Sequence, residues 1–74
     1  MNTEPQFAIC IENKDYPAAL EFGKIYRIMP DEKGAQHKLV RVIDESGEDY
    51  LYSEKCFVTI KLPQTAKDAF LSVA

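Results

Sequence analysis

The sequence predicts a small, mainly β (all-β class) domain in which five short strands close into a barrel, followed by one short C-terminal α-helix. Three observations carry that expectation. The chain has 74 residues, the size of one domain. Between residues 7 and 62 its apolar residues alternate in short runs, the period of a half-buried strand. Pro, Gly, Asn and Asp cut those runs at close intervals, and helical spacing is confined to residues 63–74. Five short strands with tight connections must hide their edges, and closing into a small barrel does so at this length. A meander plus one helix is the nearest alternative.

Residues 1–6 are polar, contain Pro5 and read as a loose tail. Residues 7–12 (FAICIE) form the first strand, with Phe7, Ile9 and Ile11 on one face and the small Ala8 and Cys10 on the other. Small residues opposite large ones suit a tightly curved sheet. Residues 13–23 are a loop: Asn13, Asp15 and Pro17 form turns, and residues 18–21 could make one helical turn. Residues 24–29 (KIYRIM) are the second strand, and residues 30–34 (PDEKG) break it. Residues 37–44 (HKLVRVID) are the third strand, with Val40 and Val42 facing one way and Leu39, Arg41 and Ile43 the other. Residues 45–48 are a hairpin turn with Gly47 at the strained position. Residues 49–52 (DYLY) are the fourth strand, residues 53–56 a single 3₁₀ turn, and residues 57–62 (FVTIKL) the fifth strand. Pro63 stops that strand. Thr65 then caps a helix with Asp68 three residues on, and Ala66, Ala69, Phe70 and Val73 form an apolar stripe. Such a helix does not persist alone in water. It covers an open end of the barrel or pairs with a second chain.

Composition narrows function by exclusion. The apolar share is 46% and the charged share 28%, the range of folded globular domains. Formal charge is −3, and Lys and Arg are scattered singly, which disfavours a phosphate-gripping face. Cys10, Cys56 and His37 are too few and too dispersed for a structural zinc site, which needs about four ligands. No cofactor, metal or catalytic constellation is read. The start of the chain lacks a signal-peptide pattern, and no apolar run approaches the ~20 residues of a membrane span. The expectation is a reduced, cytoplasmic, non-catalytic protein without a membrane partner.

The order of elements adds a resemblance. A strand, a long loop, three hairpin-linked strands, a one-turn 3₁₀ segment and a last strand resemble an SH3-like barrel. The stretch Tyr50-Leu51-Tyr52-Ser53-Glu54-Lys55-Cys56-Phe57-Val58 is similar to the end of an SH3 domain. Residues 23–26 (GKIY) and 42–52 (VIDESGEDYLY) resemble a set of short bacterial proteins of unassigned function. Together the resemblance spans about residues 7–64. It departs where the SH3 peptide groove places a tryptophan, since this chain has none and carries Lys38 and Leu39 nearest that point. The ALYDY-type motif is also missing, with Tyr16 in the matching loop. Tyr52 and Phe57 fall where the family places its groove proline and tyrosine, across a longer turn. The resemblance therefore implies the fold more than it implies PxxP recognition.

Two surfaces stand out as candidates. Tyr50 and Tyr52 share a strand face opposite Leu51. If Leu51 points inward, both tyrosines lie outside and, with Tyr16 and Phe57, suit recognition of a protein partner. Packing within the fold is the competing reading. Asp44, Glu45, Glu48 and Asp49 flank the turn and would favour a basic partner, although a solvated hairpin accounts for them fully and is the stronger reading. On the recognition reading, Tyr52→Ala leaves the fold intact and weakens the partner. Cys10 and Cys56 read as buried small hydrophobes rather than a redox pair, and His37 as a solvated loop residue. The leading expectation is a protein-interaction or accessory module, with the Phe70 helix face as its candidate surface for self-association. A small-barrel nucleic-acid binder or regulator of translation or transcription is the alternative.

Overall fold

The computed structural model describes residues 6–73. Five antiparallel strands form one sheet: β1 (Gln6–Cys10), β2 (Ile25–Met29), β3 (Leu39–Ile43), β4 (Asp49–Ser53) and β5 (Phe57–Ile60). Two helices accompany them, α1 (Glu32–Gln36) and α2 (Gln64–Val73), with a 3₁₀ turn over Glu54–Cys56. The order across the sheet is β4-β3-β2-β1-β5. No ladder joins β4 to β5, so the sheet is open, and the expected closed cylinder is not completed by hydrogen bonds.

β1 is the organising strand, because its alternate main-chain groups serve two neighbours. The Cys10 N–H donates to the Lys24 carbonyl at 2.9 Å, while the Ile11 N–H donates to the Cys56 carbonyl at 2.8 Å. The small side of β1 becomes the inner face. Ala8 lies in register with Tyr26, and Cys10 with Phe57, so small residues leave room for rings. Ile28, Val42 and Tyr52 extend that face, and Leu20 and Cys56 close over it. Leu20 comes from the loop at 13–23, which folds back as a single turn. The Ala19 and Leu20 N–H groups both donate to the Tyr16 carbonyl, and Asn13 Nδ2 donates to the Leu20 carbonyl at 3.0 Å.

The opposite face holds Phe7, which is also buried. α2 reaches it through Phe70, whose ring meets Phe7 edge-on at 5.0 Å and 74°. Phe70 therefore has a partner within the chain, on a face of the open sheet rather than at the end of a closed barrel. Ala69 of the expected stripe is exposed.

Three local expectations change. Residues 30–34 are not a plain break, since Asp31 caps α1 by accepting from the Gly34 N–H at 2.7 Å. His37 and Lys38 therefore precede β3 instead of beginning it; His37 caps α1, and Lys38 takes a left-handed φ of 59°. α2 starts at Gln64 rather than after Thr65, with the Lys67 N–H donating to the Pro63 carbonyl at 3.0 Å. Asp68 accepts from Gln64 Nε2 at 2.9 Å and is not part of a capping box with Thr65. The tail expected over residues 1–6 falls outside the described residues except for Gln6, the first residue of β1.

Candidate functional site

The β3–β4 hairpin positions most of the residues singled out above. Gly47, at φ 85°, makes the turn that antiparallel strands need there. The turn folds around Asp44, which is only 7% exposed. One carboxylate oxygen of Asp44 accepts from the Ser46 N–H at 2.8 Å and the Ser46 hydroxyl at 2.5 Å. The other accepts from the Tyr52 hydroxyl at 2.5 Å. Burial works to raise the Asp44 pKa, but the bonds from Ser46 and Tyr52 outweigh it and hold the carboxylate below its ordinary range. Burial, then the bond to Asp44, pushes the Tyr52 hydroxyl well up, so it stays a neutral donor.

Tyr52 itself is 5% exposed and belongs to the core. Phe57 joins it, with ring centroids 6.2 Å apart, and Phe57 also meets Tyr26 edge-on at 6.1 Å. The condition for exposing both tyrosines, Leu51 pointing inward, is reversed. Leu51 lies on the other face, against α1, where a Cβ added to Gly34 would come within 3.0 Å of Leu51 Cδ2. Tyr52, Phe57 and Asp44 are thus removed from the candidate surface, because the pleat turns them into the core. The expectation that Tyr52→Ala spares the fold goes with them.

The remaining acids divide. Glu45 accepts from Lys24 Nζ at 2.6 Å and from the Tyr26 hydroxyl. Those two bonds, Lys24 first, hold its carboxyl below the ordinary range. Asp49 accepts from Arg41 Nη1 at 2.8 Å, while Arg41 Nε reaches Asp31 at 2.8 Å. Arg41 thereby ties β4 to the α1 cap. Glu45 and Asp49 are thus engaged at the surface by Lys24 and Arg41.

Tyr16, Tyr50 and Glu48 also stay at the surface, beside the ion-paired Glu45 and Asp49. Tyr50 is 49% exposed and Tyr16 40% exposed. Tyr16 meets the Tyr52 ring edge-on at 4.9 Å, and Tyr50 sits two residues from Tyr52 on the same strand face. Both exposed rings therefore neighbour a buried one. Glu48 accepts from the Tyr50 hydroxyl at 3.2 Å, and its charge raises the Tyr50 pKa. Asp15, exposed beside Tyr16, adds an acid that the reading of the hairpin alone did not include. The signal for it was its place next to the loop tyrosine.

Cys10 and Cys56 are both free and buried, and burial, then the neighbouring Cys10, pushes the Cys56 thiol up. His37 is exposed at the end of α1. Among the described residues no three of His, Cys, Asp and Glu converge in a metal-holding arrangement. No described helix is long and apolar enough to cross a membrane. Comparison with family models, with curated proteins and with solved structures returned no match.

Proposed function

We propose that the chain is an SH3-like, non-catalytic protein-interaction module that receives a basic, extended segment on the ledge formed by Tyr16 and Tyr50. Four features support the SH3-like reading: β5 pairs with β1, a long loop separates β1 from β2, a 3₁₀ turn links β4 to β5, and Tyr52 packs on Phe57 across the unladdered edges. The observation that carries the functional reading is the exposure of two tyrosines that both neighbour the hydrogen-bonded Tyr52–Asp44 seat. The seat fixes their spacing, so contact area is offered at low entropic cost. Asp15, next to Tyr16 in the chain, and Glu48, bonded to Tyr50, favour positive charge.

The test is a titration of the ¹⁵N-labelled protein with Lys/Arg-rich, neutral and acidic peptides, and with a mixed-sequence oligonucleotide at low salt. Shifts confined to Tyr16, Glu48, Tyr50 and their neighbours are expected with basic peptides. Tyr50→Ala should weaken that binding by about tenfold or more while the fold persists, as an interface anchor does. Basic peptides producing no shifts, or Tyr50→Ala binding as tightly as wild type, would defeat the proposal. Shifts with the oligonucleotide alone would favour the nucleic-acid reading.

A further inference from the structure

The open sheet has two edges, and they are treated differently. On β4 the strand begins with Asp49, which Arg41 clamps to Asp31 of the α1 cap. Charge and a covering helix are the usual protections of an exposed edge. β5 has neither protection. Its residues, Phe57-Val58-Thr59-Ile60, carry no charge and no proline, and Val58 is 48% exposed.

The bonding parity of β5 is set by β1. The Ile11 N–H bonds the Cys56 carbonyl, so Val58 and Ile60, at steps of two, also turn their main-chain groups toward β1. The Thr59 N–H and carbonyl then point away from β1, where no strand lies among the described residues. The Phe57 N–H is taken up by the Glu54 carbonyl, which leaves Thr59 as the centre of the free edge.

We propose that β5 pairs with β5 of a second copy of this chain, antiparallel about Thr59, joining two sheets into one. The strand is complementary to itself in that register. Thr59 faces Thr59 as a hydrogen-bonded pair, and Val58 of one copy faces Ile60 of the other on the outer face. The exposed Val58 and Ile11 and the half-buried Ile9 form an apolar strip that this pairing extends across the seam. A four-residue edge buries less than the roughly 1,200 Å² of a standard interface, so the dimer is weak and concentration-dependent. This surface lies at the edge opposite β4 and is independent of the tyrosine ledge.

Sedimentation equilibrium across about 10 μM to 1 mM, the range in which so small an interface would act, tests it. Wild type should move from the mass of one chain toward two. Val58→Lys places a charge on the edge, and Thr59→Pro removes the central donor where a proline is sterically tolerated. Both should remain one chain in mass across the range, with circular dichroism reporting the fold, while Tyr50→Ala dimerises like wild type. Should either variant unfold, amide exchange of wild-type Thr59 decides: protection that rises with concentration supports the pairing. Wild type at single-chain mass throughout, folded variants that dimerise normally, or a Thr59 amide indifferent to concentration would each overturn it.

Discussion

The base of the β3–β4 hairpin and the C-terminal helix α2 are attached to the same sheet by different means. At the hairpin, Asp44 is tied to Ser46 and Tyr52, and Glu45 to Tyr26, by hydrogen bonds, and among the described residues no buried side-chain polar atom is left unpaired. α2 reaches the sheet through the Phe7–Phe70 contact and leaves beside it a cleft of about 330 Å³ between Phe70, Ile25 and Ile43. The difference teaches where the fold is determined. A buried carboxylate admits few arrangements, since each unmade bond costs about 1–3 kcal/mol. An apolar helix on an apolar patch tolerates many, because dispersion and area burial carry little direction.

The hairpin side should break first and hardest. Tyr52→Ala removes a core ring, whose loss costs about 3–5 kcal/mol, and strips Asp44 of a donor. A domain of this size holds on the order of 5 kcal/mol in total, so the variant should be largely unfolded by circular dichroism. Tyr52→Phe sharpens the point by deleting only the hydroxyl, with an expected loss of about 1–3 kcal/mol in urea denaturation. A Tyr52→Ala protein that melts like wild type would return Tyr52 to the surface.

The same carboxylates set the acid limit. Asp44, Glu45 and Asp31 are all held below their ordinary pKa values in the folded chain, Asp31 chiefly by the Gly34 N–H. Their unfolded values are about 3.9 for Asp and 4.3 for Glu. Folding stability is therefore fully present above about pH 5 and falls as pH drops below about 4, where the unfolded chain binds protons before the folded one. Melting temperature against pH measures this, and Tyr52→Phe should flatten the fall.

The gentlest effect belongs to α2. Phe70→Ala should cost about 1–2 kcal/mol, less than a fully buried ring, because Phe70 is only half-buried. Amide exchange in residues 64–73 should quicken severalfold while β1–β3 stay protected. Equal acceleration in the sheet would show that α2 is as integral as the hairpin and would erase the contrast.

Much of this was legible in the chain. Alternation placed all five strands to within a few residues, Gly47 marked the hairpin, and Pro63 marked the step from β5 to α2. α1 escaped because it is five residues long and Gly34 lies within it, although Asp31 followed three residues later by Gly34 is an N-cap pattern. The candidate site was half legible. Alternation showed that Tyr50 and Tyr52 share a face opposite Leu51, but it is blind to which face is inside.

The sequence by itself determined the strand periods, the turn positions and the scattering of its basic residues, because these rest on local sterics and on residue type. The tertiary structure alone decided that Ala8 and Cys10, not Phe7 and Ile9, line the main core. It also decided that Tyr52 is a buried donor to Asp44 while Tyr50 remains outside, and that β5 is an unguarded edge. The physical reason is that facing and pairing depend on what lies across the sheet. Leu20, Phe57 and Arg41 reach their partners only after the chain has folded back on itself.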